Sequence, residues 1–255
     1  MLALLIALSA ATPEEPERVV AARAEHEAAL IEKVEALGLT WPPKDLHLRA
    51  FKAERAIEVW VGGGGPLSLL DTFVVCGDSG GLGPKVQQGD LQIPEGFYLV
   101  TGLNPWSPGL LSLQLDYPNA ADRARRLKRA SVTSTASDAP RGTKAPPTKQ
   151  PSLGGDIAVH GTCISTGCLA IDDDPIEQIY LLALEPRRRG RAIRVHVYPG
   201  RLEPERIESL LEATDDVLVV KLWTSMIPAY RGFERTRRPP VTWSRVDGTY
   251  GVAAR

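Results

Sequence analysis

The sequence predicts a strand-rich α+β domain, mostly β at its centre, with a long helix before it and further helices behind it. Three observations carry this. Short apolar segments bounded by glycine and proline recur between residues 45 and 120, as half-buried strands do. An early stretch repeats its apolar residues at steps of three and four, the spacing of one helical face. Two stretches after residue 200 do the same.

Met1 to Ala11 is an apolar run ending in small residues. It fits the core and cleavage site of a secretory signal, although no Lys or Arg precedes it. It is too short to span a bilayer, which takes about 20 apolar residues, and every later apolar run is interrupted by charge. Thr12-Pro13-Glu14-Glu15 then reads as a helix start, with a capping Thr, a Pro and two acids near the positive end of the dipole. Val20, Ala24, Ala28, Ile31 and Val34, widened by Leu30 and Leu37, form the expected buried face, and Gly38 the stop. Strand segments follow within His47–Val61, over Leu67–Cys76, over Phe97–Thr101 and over Leu110–Leu115. The four glycines Gly62–Gly65 read as a loop between strands, because the Lys-Ser/Thr ending of a phosphate-binding loop is absent.

Residues 130–152 are rich in Ser, Thr, Ala, Pro and Lys and poor in large apolar groups, so they are expected as a mobile insertion. Ile157–Val159 reads as a strand, as do Ile179–Leu184 and Ala192–Tyr198, joined by an Arg-rich turn. Leu202–Ala213 is helical in period, Val217–Phe233 is one or two helices broken near Pro228, and Pro239–Val252 is short extended pieces.

Composition is that of an ordinary globular domain: 255 residues, 43% hydrophobic, 24% charged. The formal net charge of -1 argues against a dedicated nucleic-acid binder. Clusters at Arg123–Arg129, Arg187–Arg191 and Arg235–Arg238 read as surface solubility, with attraction of anionic partners as the functional alternative. Three cysteines, Cys76, Cys163 and Cys168, leave at least one thiol unpaired in an exported chain.

The chemistry concentrates in His160-Gly161-Thr162-Cys163-Ile164-Ser165-Thr166-Gly167-Cys168. A thiol nucleophile needs a base within reach to form its thiolate. Acyl transfer also needs N–H donors for the developing oxyanion, and Gly167 and Cys168 amides are candidates. Alone, His-Gly and Ser-x-Gly-Cys are weak signals that fit a structural histidine and a small buried cysteine better than a catalytic pair.

The cluster resembles the signature of L,D-transpeptidases, the YkuD-like catalytic domain, and more narrowly its YafK-like branch. Upstream Ser79-Gly80, Leu82-Gly83-Pro84-Lys85, Gly89-Asp90 and Pro94-Glu95-Gly96-Phe97-Tyr98 match that branch. So do Asn104-Pro105, Tyr117-Pro118-Asn119, Val195-His196-Val197, Trp223, Tyr230, Phe233-Glu234 and Pro239-Pro240. The resemblance runs over roughly residues 55–245 in order. It implies a barrel-like or sandwich catalytic domain over 45–255, preceded by a helix and connector over 12–44. It implies Cys168 as nucleophile, His160 as its base, Gly161 offering the carbonyl that orients the ring, and Gly167 in the oxyanion hole. Ser165 and Thr166 fall at substrate-side positions, Ser165 also shaping the turn. Two positions depart from many family members: Thr166 stands in place of His, and Ala170 in place of Arg.

The implied partners are peptidoglycan stem peptides, with a wall-attached lipoprotein as a further option, in the periplasm or cell envelope. The chemistry requires no metal or organic cofactor. Three readings stay open: transfer to an amine, hydrolysis, and a catalytically idle wall-binding module. Cys163 is expected as a structural thiol, a Cys163–Cys168 bridge being the alternative that would silence the nucleophile. Cys76 and His196 are expected buried, His26 and His47 structural or solvent-facing, and Asp172–Asp174 a turn or helix cap.

Overall fold

The computed structural model describes residues 14–77, 80–135 and 152–253. The expected signal segment 1–11, Thr12-Pro13 and Ser79 lie outside the described residues.

The chain is α+β. Eight strands form one curled mixed sheet in the order β3-β2-β1-β8-β4-β5-β6-β7, and a two-stranded ribbon pairs β9 with β10. The strands are β1 (Asp45–Phe51), β2 (Ala56–Gly62), β3 (Ser68–Val74), β4 (Gly96–Asn104), β5 (Ser112–Leu115), β6 (Ala158–His160), β7 (Leu169–Ala170), β8 (Arg194–Tyr198), β9 (Thr242–Ser244) and β10 (Tyr250–Val252). The helices are α1 (Glu17–Ala36), α2 (Ala120–Thr135), α3 (Asp173–Arg188), α4 (Pro204–Glu212) and α5 (Val217–Thr236). Pairs β1·β8 and β6·β7 are parallel and the other neighbours antiparallel.

Alternation along the central strands feeds two cores. Leu46, Leu48 and Ala50 of β1 and Val195 and Val197 of β8 pack with α1 and α3. Phe51 and Tyr198, on the opposite face, pack with α4 and α5 around Trp223, Met226 and Tyr230. Both faces are therefore covered, and β1 is buried over six of its seven residues. The far ends of the sheet approach each other: the amides of Cys76 and Gly77, just past β3, donate to the Ala170 carbonyl of β7 at 2.9 and 3.4 Å. This seam lies beside the chemical motif.

Several expectations are corrected. Helix α1 starts after Pro16, and its inner face is Val19, Ala22, Leu30 and Val34, whereas Val20 is 51% exposed and Ala24 and Ala28 face solvent. The inner face centres on His26, whose Nε2 meets Glu177 of α3 at 2.8 Å, so a polar residue occupies the middle of the stripe. Ile179–Leu184 is helix α3 rather than strand. Its residues Ile179 to Ala183 are all buried, between α1 and the sheet, and a segment buried all round shows no helical period. Helix α5 runs unbroken through Pro228. Helix α2 takes up residues 130–135 of the expected insertion, and 136–151 lie outside the described residues.

Candidate active site

The motif bridges two adjacent strands. His160 closes β6 and is held on both sides, by Ser112 of β5 and by Ala170 of β7. Cys168 immediately precedes β7. Strand pairing thus brings the ends of an eight-residue step back to neighbouring chains, and His160 and Cys168 line the same cleft of about 490 Å³. Its walls include Asn104, Ser112 and Gln114 from the β4–β5 hairpin, Ala158 of β6 and Asp156 just before it.

The imidazole is fixed from one side. His160 Nδ1 lies 2.6 Å from the Gly161 carbonyl, an acceptor, so Nδ1 carries the proton and Nε2 is left as the basic nitrogen. Gly109, which the sequence did not single out, makes room for the ring: a Cβ there would lie 2.6 Å from Nδ1. Gly161 donates to Gly109 O at 2.9 Å, and a Cβ on Gly161 would meet Asp173 Oδ1 at 2.6 Å. Asp173 instead accepts the Thr162 amide at 2.7 Å, while Asp172 caps α3 by accepting from Asp173 N. The expected cap therefore also shapes the motif. Thr162 and Cys163 take left-handed φ of 72° and 52°, unusual for side-chain-bearing residues, and the anchors on both sides hold them there.

Cys163 is not a lone structural thiol. It is disulfide-bonded to Cys76, with Cα atoms 5.2 Å apart, so the bridge staples the motif loop across the sheet seam. Sequence alone could not pair cysteines 87 residues apart. Cys168 stands outside the bridge and is half-buried.

Burial pushes the Cys168 thiol above the ordinary range, and two groups oppose it: the Ala158 amide and the charge of Lys85. Asp156 acts in the same direction as burial. Lys85 entered the sequence reading only as part of a matching string. Its Nζ lies 3.5 Å from where a Gly167 Cβ would stand, and the side chain is buried. It pairs with Asp90 Oδ1 at 2.6 Å. Burial alone would raise the Asp90 pKa, but Lys85 and the amides of Gln87, Val86 and Gln92 hold it below the usual carboxylate value.

Ser165, Thr166, Gly161 and Gly167 do not line the cleft; Thr162 and Ile164 do. Ser165 turns inward. Its Oγ accepts the amides of Gly167 (3.1 Å) and Cys168 (2.7 Å) and donates to Cys168 O at 2.9 Å. The two amides expected as oxyanion donors are already engaged by this hydroxyl, which makes Ser165 a brace for the turn. Gly167, with φ of 134°, brings its backbone to Gln92, where a Cβ would sit 2.9 Å from the carbonyl oxygen.

The other histidines lie elsewhere. His196 is buried, as expected, and so is His47, at 4.5 Å between ring centroids. Among the described residues no group of three His, Cys, Asp or Glu side chains is gathered for a metal, and no helix is long and apolar enough to cross a membrane.

No family model matches the chain. A relative in Escherichia coli strain K12, "Putative L,D-transpeptidase YafK", is 31% identical over 211 residues, covering 82% of this chain and 74% of its own. The protein of the same name in Escherichia coli O157:H7 matches equally. Among solved structures, the helical cell shape determining protein Pgp2 of Campylobacter jejuni aligns with a TM-score of 0.44 at 15% identity, covering 79% of this chain and 73% of that one. Its K307A mutant gives 0.43 at 17% identity; the match spans 72% of this chain and little more than half, 56%, of that one. Bd1075 of Bdellovibrio bacteriovorus aligns at 0.39 and 15%. A relative 31% identical over four-fifths of this chain and three-quarters of its own places the chain in the YafK-like L,D-transpeptidase family.

Proposed function

We propose that the protein is a peptidoglycan-modifying cysteine acyltransferase of the L,D-transpeptidase type, with Cys168 as nucleophile and His160 as base. The observation that carries this reading is that both side chains line one open cleft while Gly161 O fixes the imidazole tautomer with Nε2 basic. The Cys168 sulfur attacks the carbonyl joining an L-centre of a wall stem peptide to its next residue, and His160 takes the thiol proton. His160 returns that proton to the departing amine, leaving a thioester on Cys168. An acceptor then takes the acyl group: an amine in transpeptidation, water in hydrolysis, the latter able to release a wall-attached lipoprotein. Thiol burial keeps the sulfur protonated at rest, so His160 is needed at the moment of attack. Lys85 supports the thiolate electrostatically.

The disulfide supports an oxidising compartment such as the periplasm or cell envelope. The test is incubation with defined muropeptides, read by product mass. A new cross-link, or loss of a joined residue with water added, is expected. Unchanged substrate bound at measurable affinity would replace the enzyme reading with that of a binding module.

A further inference from the structure

A second cavity of about 350 Å³ lies on the same β4–β5 hairpin as the cleft, nearer the other end. Leu99 on β4 is in register with Arg194 on β8, so the two side chains share a face. On its other side Leu99 exchanges backbone and side-chain bonds with Asp116: Leu99 N donates to Asp116 Oδ1 at 2.8 Å, and Asp116 N donates to Leu99 O at 3.0 Å. The row is therefore cation, apolar floor, carboxylate. Two strand spacings put Arg194 and Asp116 about 9–10 Å apart at the backbone. Among the described residues neither forms an ion pair within 4 Å, the charge of Arg123 reaching Asp116 only from further away, and the Arg194 guanidinium makes no hydrogen bond there. The wall is Trp243, in register with Gly251. Its indole lies against the Gly251 backbone so closely that no side chain would fit there, yet Trp243 remains 49% exposed. One face of a large ring is thus clamped and the rest presented.

The arrangement chooses the ligand: opposite charges flank an apolar floor beside an indole face. The carboxylate opposes an anion and the guanidinium a cation. A neutral ring with hydroxyls on its edges and an apolar C–H face satisfies all three groups, the face on the indole and the edges on Arg194 and Asp116.

We propose that this cavity is a saccharide subsite for an N-acetylhexosamine of the wall glycan strand. The proposal deepens the acyltransfer reading and rests on it for the identity of the strand. Asp116 lies four residues from Ser112, which is in register with His160. That is about 14 Å along the strand direction, the span of an extended peptide of about four residues. A stem peptide hanging from a sugar held at Trp243 would therefore reach Cys168 by following β5 past Gln114.

The experiment titrates peptide-free glycan strands and, separately, tetra-N-acetylchitotetraose into the full chain carrying Cys168→Ala, by calorimetry. Glycan strands are expected to bind, and Arg194→Met, Asp116→Asn and Trp243→Ala are each expected to weaken them about ten-fold or more. Should Trp243→Ala melt early, the two polar variants carry the test. No glycan binding, binding of chitotetraose alone, or binding indifferent to Arg194 and Asp116 overturns the proposal. In the chain with Cys168 intact, the ratio of kcat/KM for sugar-linked over bare peptide is expected to fall toward one in Arg194→Met. The calorimetry uses no peptide and no nucleophile, so its outcome stands apart from failure of the acyltransfer reading, which the muropeptide assay reports.

Discussion

Two histidine environments in this molecule differ in what covers the ring. His160 ends β6, one strand from the β7 edge, half-buried, with one ring nitrogen on a carbonyl and a cleft beside it. His47 and His196 sit on β1 and β8 in the middle, at 0% and 1% exposure. Burial first, and then the charge of Arg49, drive His47 down to about 3, and burial and His47 push His196 well below its ordinary value. Around them Arg49 stacks near Phe51, Tyr230 and Phe233 and pairs with Glu234 at 2.7 Å. The lesson is that the cover over a ring, and not its number of neighbouring strands, sets what a histidine can do: Phe233 of α5 closes over His47, whereas His160 borders an open cleft. The closed face drives the central rings neutral.

The largest effect expected from testing that contrast is at the cleft. Cys168→Ala should abolish turnover on defined muropeptides, and His160→Ala should lower kcat/KM about 10²–10⁴-fold with the melting temperature little changed. Gly109→Ala should misplace the ring and cost about 10²-fold in rate, read in the same assay. Next is the staple. Paired Cys76→Ser and Cys163→Ser substitutions should cost about 2–5 kcal/mol in denaturant unfolding, because the bridge closes a long loop. Activity recovered at low temperature in that double variant would show the bridge to be support and not chemistry. At the centre, His47→Ala should lower stability by about 1–3 kcal/mol, the Arg194 carbonyl losing its partner.

The smallest effect is in pH. His47 and His196 are held neutral in the folded chain, below the unfolded value of about 6.5. Their contribution is complete above that value and is lost as pH falls from about 6.5 toward 3, where His47 protonates. Melting temperature should decline over this window, and less steeply in His47→Ala. An unchanged slope would remove the central histidines from the account.

The family, the early helix, most strands and the nearness of His160 and Cys168 to one cleft were legible in the sequence, because periodicity and a dense motif are local signals. The errors have one physical source. Helix α3 is enclosed on all sides, so its apolar run carries no period. The α1 face was mis-set because His26 takes a central inner place through a partner 151 residues away. Lys85 and Gly109 act through space on Cys168 and His160, and the Cys76–Cys163 bridge joins distant segments. Ser165 showed its place in the sequence but not its direction, which depends on the turn it braces.

Three cysteines allow three pairings, and two of them consume Cys168. For the proposed Cys168 nucleophile to act, oxidation has to be selective: one bond forms while a sulfur five residues further along stays reduced. If the chain emerges into an oxidising space from its amino end, Cys76 arrives first and Cys163 precedes Cys168, so the productive partner is the earlier one on offer. Mispaired molecules would be folded wrongly at the seam and inert at once, which gives a simple assay of maturation: the fraction of chains whose Cys168 reacts with an alkylating probe should equal the fraction that is active.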